Sequence, residues 1–196
     1  MAQFRLTAMG AKRAPAQAPP GELLEDRIRD GIAGSLTEQI AIGLQIGRAL
    51  SGWHKKKRFL EHLSSAAITI DAEDNVTLFG AESSETDLRY QNARAFGVVL
   101  YELFTGRLMG DHESEEPDVE LLHKAGLPPA VVEVVSWCLE NPEEAKVIEK
   151  STERLEGMLR ERLGERAGAP KRVLWIGIVV AVVVCALVVW KVFGRS

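Results

Sequence analysis

Little in this chain of 196 residues points to covalent or metal chemistry. It has only two cysteines. Cys138 lies in the apolar run VVSWCL and Cys185 in the hydrophobic tail, so neither is placed for a disulfide, and a reducing, cytosolic setting is expected for the domain. The four histidines, His54, His62, His112 and His123, lack ligand-like spacing, and no metal is expected. Neither sign of charge dominates: the formal net charge of −4 leaves no basic footprint, so no nucleic-acid partner is expected. The one dense basic run, HKKKR (His54–Arg58), is expected to be a solvated helix end whose cations complement the helix dipole. The amino-terminal segment has no apolar run of signal-peptide length, and Pro15, Pro19 and Pro20 mark residues 1–20 as a flexible leader.

One long hydrophobic run is present. Val173–Trp190 carries no charge. As a helix it covers about 27 Å, close to the roughly 30 Å hydrocarbon core of a bilayer. Trp175 and Trp190 lie near its ends, Lys171 and Arg172 precede it, and Lys191 and Arg195 follow. This pattern predicts a single carboxyl-terminal transmembrane helix over 173–193, a basic juxtamembrane linker over 165–172 and a short tail over 194–196. Arg160, Arg162, Arg166, Lys171 and Arg172 outnumber the cations beyond the run, which predicts that the preceding domain stays in the cytoplasm. The expected location is a single-pass membrane protein, in the inner membrane if the abundance of Ala, Arg and Val reflects a GC-rich bacterium.

The remainder, with 46% hydrophobic and 27% charged residues over the whole chain, reads as one globular domain. Gly21–Ile32 alternates apolar and charged residues at helical spacing. A longer helix is predicted over Ser35–His54, with Leu36, Ile40, Leu44, Gly47, Leu50 and Trp53 on one face and Ser35 and Glu38 as a capping box. Ala66–Ile70 and Val76–Phe79 flank a turn whose Asp74-Asn75 tolerates tight backbone angles, which predicts a β-hairpin. After the polar segment Ala81–Gln91, Asn92–Gly106 reads as a buried central helix with Gly106 as its carboxyl cap. Asp111–Pro117 is an acidic loop, and Pro129–Glu140 a further helix. Asn141 and Pro142 resemble the start of a last one bearing Ile148, Leu155, Leu159 and Leu163. The expected fold is mainly α with one small β-hairpin, plus the transmembrane helix.

This order of elements, with these words, resembles the carboxyl-terminal lobe of eukaryotic-type protein kinases over residues 21–164. GELLEDRI is similar to the helix after the hinge, and IAIGLQIGRALSGWH to the long helix before the catalytic loop, with His54 at its end. ITIDAEDNVTLFG is similar to the hairpin between that loop and the metal-binding motif. AFGVVLYELFTGR resembles the buried central helix, and LPPAVVEVVSWCLENPEEA the penultimate helix and the turn after it.

The departures decide what the resemblance implies. The catalytic-loop pattern His-Arg-Asp-Leu falls on Leu60, Glu61, His62 and Leu63, and continues through Ser64, Ser65, Ala66 and Ala67. His62 thus stands for the catalytic aspartate, Ser64 for the phosphate-contacting lysine and Ala67 for the metal-ligating asparagine. Asp-Phe-Gly survives only as Leu78-Phe79-Gly80, the activation segment is short and lacks Ala-Pro-Glu, and Asn92 replaces the aspartate that opens the central helix. The residues before Gly21 are too few for an amino-terminal lobe with its Gly-rich loop and lysine. His62 as a general base does not restore lost metal ligands, and nothing in the spacing recommends Glu82 or Glu85 as substitutes. The expectation is therefore a non-enzyme, without catalytic, cofactor-binding or metal residues. It is a membrane-tethered, pseudokinase-like module that binds a protein partner in signalling, an active kinase or its regulator among the choices. Leu63, Ile68, Ile70, Val76 and Leu78 of the hairpin region then serve to fill the core. The alternative is an ATP-dependent kinase of unusual mechanism.

Overall fold

The computed structural model describes residues 18–31, 34–109, 117–144 and 146–164. The chain divides into two units, Met1–Glu156 and Gly157–Ser196. In the first, β1 (Glu22–Leu23) leads into α1 (Leu24–Arg29) and α2 (Leu36–Lys55). Then come β2 (Phe59–Leu60), a 3-10 turn (Ser65–Ala67), β3 (Ile68–Ile70), β4 (Val76–Leu78) and β5 (Glu82–Ser83). The helices α3 (Leu88–Thr105), α4 (Val119–Lys124) and α5 (Pro129–Glu140) follow. A last helix, α6, occupies 147–156, and residues 157–164 of the second unit are also helical. The described chain is mainly helical with a small sheet.

The buried face of α3 organises the core. Phe96, Gly97, Val99, Leu100, Tyr101, Leu103 and Phe104 are all buried along it. Gly97 lets α5 approach: a Cβ there would lie 2.9 Å from Cys138 Cβ and 3.1 Å from Leu139 Cγ. On another side α2 supplies Ile40, Leu44, Ile46 and Leu50, and α6 supplies Ile148 and Leu155. The α2 start is the expected capping box, with the Ser35 N–H donating to Glu38 Oε2 at 2.5 Å and the Glu38 N–H to Ser35 Oγ at 3.4 Å. Gly106 ends α3 in the left-handed region at φ 68°, where glycine carries no Cβ penalty.

The hairpin forms where expected, but not alone. Ile68 pairs with Leu78 and Ile70 with Val76. Asp74 sits at φ 60° in the turn, and Asp71 Oδ1 accepts the N–H groups of Glu73 and Asn75. Gln45 of α2 clasps the hairpin, donating from Nε2 to the Asp74 carbonyl at 2.9 Å and accepting the Val76 N–H at 3.1 Å. A third strand joins: β1 pairs with β3, Glu22 opposite Ile70 and Leu23 opposite Thr69. The predicted helix over Gly21–Ile32 is thus corrected to a two-residue strand followed by α1. Gly21 runs so close to β3 that a Cβ would lie 2.8 Å from the Ile70 carbonyl oxygen, and this backbone approach holds the segment extended. A separate pair, β2 with β5, also corrects the expectation of one hairpin.

Other boundaries move for local reasons. Ala66 and Ala67 belong to the 3-10 turn instead of the strand. The central helix begins at Leu88, four residues before the expected Asn92. Asn141 is the carboxyl cap of α5, not the amino cap of a new helix; its carbonyl accepts the Glu144 N–H in a turn, and Lys146 at φ 67° separates that turn from α6. Asp118 accepts the Glu120 N–H at the start of α4, a helix for which the sequence reading has no counterpart. Leu36, Trp53 and Val76 are half-buried, and Leu163 is 49% exposed, so the expected apolar stripes are narrower than drawn. The leader up to residue 17, the acidic residues 111–116, the linker 165–172 and the span 173–193 lie outside the described residues. Among the described residues, no helix is long and apolar enough to cross a membrane.

Candidate functional site

The residues that the kinase resemblance singles out lie between the end of α2 and the start of α3. Lys56 caps α2, and Lys57 turns the chain through the left-handed region at φ 54°. Lys55–Lys57 face solvent, as expected of a solvated helix end, while Arg58 pairs with Glu82 of β5 and stacks 5.5 Å over the Trp53 ring. Beyond this turn β2 is buried, with Phe59 and Leu60 at 3% and 0% exposure.

Asn92 holds that buried strand. Its Oδ1 accepts the Leu60 N–H at 3.0 Å and its Nδ2 donates to the Leu60 carbonyl at 2.7 Å. Both backbone groups of one residue are thereby satisfied by one amide, which a strand bordered on that side by a helix requires. His54 Nε2 lies 3.4 Å from the same Oδ1, and its ring packs against Phe59 with centroids 4.9 Å apart.

Burial lowers the His54 pKa below its ordinary 6.5, against the opposing effects of the Asn92 hydrogen bond and the Glu149 charge; Arg89 adds to the lowering. A histidine that is harder to protonate in the fold contributes stability that is complete above its unfolded pKa. That contribution is lost as pH falls through the lower folded value. Wild type is therefore expected to lose more of its urea midpoint between pH 7 and 5 than His54→Gln does. Parallel losses would show that another group titrates.

The positions aligned with the catalytic loop carry no cluster of chemistry. His62 and Ser64 are exposed, Leu63 and Ser65 are buried, and Ala67 is half-buried. Leu78, at the position of the second metal ligand, is 7% exposed and faces the core with Ile68 and Ile70. Leu63, Ile68, Ile70 and Leu78 thus fill the interior as expected. Cys138 is buried beside Ser151, with Sγ and Oγ 3.1 Å apart. Burial pushes its thiol up to about 11, so it is not a nucleophile near neutral pH.

One charged group is unusual. Glu102, in the last turn of α3, is 4% exposed. Its Oε1 accepts the Met109 N–H at 2.8 Å, which closes the turn after the helix. Oε2 has no hydrogen-bond partner among the described residues. Burial raises the carboxyl pKa; the Met109 N–H and the nearby Ser65 hydroxyl oppose the rise, and the Glu25 charge adds to it. The carboxyl borders a cavity of about 310 Å³ between Leu63–Ser64 and α3. Sequence reading assigned Glu102 no role, since a lone acid in an apolar helix carries no periodic signal. No family model and no curated protein matches the sequence.

Proposed function

We propose that this chain is a membrane-tethered, catalytically inactive, protein-kinase-like module that binds a protein partner in signalling. The observation that carries the reading is the Asn92 clamp. Asn92 occupies the position that the resemblance assigns to the aspartate opening the central helix, and it grips Leu60, the first position of the degenerate catalytic loop. The buried central helix and the catalytic-loop segment are thus joined by two hydrogen bonds. The element order supports the same reading: a long helix ending near His54, a short buried strand and a loop, a hairpin, the central helix and α5.

Inactivity rests on residue chemistry. Phosphoryl transfer depends on metal bridging, a phosphate cradle and acceptor positioning. The aligned places hold an exposed histidine, an exposed serine, an alanine and a buried leucine. The purified full chain is expected to bind Mg²⁺–ATP no better than a denatured control and to transfer no phosphate to itself or to generic acceptors. His62→Asp with Ala67→Asn should not restore activity, because Leu78 still stands at the second metal position. Saturable micromolar ATP binding that His62→Ala abolishes would instead support the kinase of unusual mechanism.

The tether rests on the uncharged run Val173–Trp190 with tryptophans near both ends. The chain is expected to stay with membranes after alkaline carbonate extraction, and deletion of residues 173–196 to release it. External protease on spheroplasts should leave residues before Lys171 intact; their digestion would reverse the orientation. Proximity labelling with and without residues 173–190 identifies the partner, and identical partner sets would remove the tether from the function.

A further inference from the structure

Three consecutive lysines close α2, and the fold gives none of them an acidic partner. Lys55 ends the helix, Lys56 caps it and Lys57 turns the chain at φ 54°. All three are exposed, and among the described residues no side chain forms a hydrogen bond or ion pair with theirs. Elsewhere in the domain cations pair with carboxylates: Arg29 with Glu25, Arg48 with Glu156, Lys124 with Glu120 and Lys150 with Glu144. Arg58, next in the chain, pairs with Glu82 and so neutralises that carboxylate. A solvated helix end accounts for cations in the last turn, where they meet the helix dipole. It does not account for Lys57, which lies beyond the cap in the left-handed region that favours glycine. The result is a compact cationic patch on a chain whose formal net charge is −4.

We infer that Lys55–Lys57 dock the domain on the anionic headgroups of the bilayer to which the carboxyl-terminal run tethers it. The ligand is a negatively charged, phosphate-bearing lipid surface. Such a surface offers many acceptors at no fixed spacing, which suits three flexible ammonium groups that form no rigid fork or pocket. The eight residues 165–172 before the apolar run reach at most about 28 Å. The tether therefore keeps Gly164 within about three Debye lengths of the surface at 0.1 M salt. Each lysine near an anionic surface favours binding by about fivefold, and three by on the order of 100-fold. Without the tether that attraction is weak. With it, docking becomes an intramolecular step at high effective concentration. Docking through the end of α2 also fixes which surface of the domain the protein partner meets.

This inference rests on the tether proposed above, and its test scores the tether separately. The full chain is reconstituted in lipid nanodiscs of phosphatidylcholine, or of phosphatidylcholine with about 30% phosphatidylglycerol. Both are acetylated briefly with an uncharged amine reagent, and mass spectrometry compares labelling at Lys55–Lys57 with that at Lys124 and Lys150 of the same sample. In anionic discs Lys55–Lys57 should label at least about fivefold more slowly than in neutral discs, and about 0.5 M salt should erase the difference. Lys56→Gln with Lys57→Gln should return Lys55 to within about twofold of its neutral-disc rate, whereas Lys56→Arg with Lys57→Arg keeps it protected. Arg94→Gln with Arg107→Gln, the same charge change at exposed positions elsewhere, also leaves Lys55 protected. A chain that does not co-elute with the discs overturns the tether and this inference with it. Co-elution with equal labelling in both lipids overturns this inference alone, as does loss of protection in the arginine variant or in the Arg94–Arg107 variant. Protection in neutral discs by millimolar inorganic phosphate would assign the lysines to a soluble anion, and overturns it too.

Discussion

Leu100→Asp is expected to abolish the cooperative thermal transition of the domain. Leu100 is 0% exposed on α3, and its Cδ2 would lie 2.8 Å from a Cβ at Gly43 of α2, so the two helices meet closely there. A carboxylate at that point has neither a donor nor room for water. Burying it costs several kcal/mol, against a total stability of roughly 5–15 kcal/mol for a domain. Gly97→Leu should act through shape alone: even a Cβ at Gly97 meets the Cys138 and Leu139 side chains at 2.9–3.1 Å, and a leucine adds three more carbons beyond it. Circular dichroism melts of both variants in the same detergent test this. A cooperative transition close to that of the parent in either would mean that α3 is not the centre of the core.

Asn92→Leu is expected to have the next largest effect, about 2–6 kcal/mol, because two buried backbone groups of Leu60 lose their partner together at about 1–3 kcal/mol each. Asn92 is 2% exposed, so water does not replace the amide. Asn92→Asp separates the two bonds. The carboxylate still accepts the Leu60 N–H but cannot donate to the Leu60 carbonyl, so about half the loss is expected, with a steeper fall above the carboxyl pKa. Urea midpoints order the variants as wild type, Asn92→Asp, Asn92→Leu. A shift under about 1 kcal/mol for Asn92→Leu would mean that Leu60 finds other partners, and would remove the observation on which the kinase-like reading depends.

The sequence by itself determined the elements whose causes are local. The Ser35–Glu38 box acts over three residues, and the glycine cap at Gly106 and the Asp71–Asn75 turn act over similar distances. The apolar run of α3 marks it as buried whatever surrounds it, and the dense valines of α5 do the same. What the sequence left open depends on partners far along the chain. Glu22–Leu23 is too short to show any period, and becomes a strand only because Gly21 passes β3 at a distance no side chain permits. Phe59–Leu60 and Glu82–Ser83 are likewise strands only as a pair. Asn92 and Leu60 are 32 residues apart, and their clamp exists because α3 packs beside β2. Glu102 is a solvated acid in any local reading; only the packing of α3 with its neighbours buries it, and with Leu63 and Met109 it lines a cavity. Backbone preferences and caps extend over one turn of chain, whereas desolvation depends on every element that closes around a group, and that is settled in three dimensions.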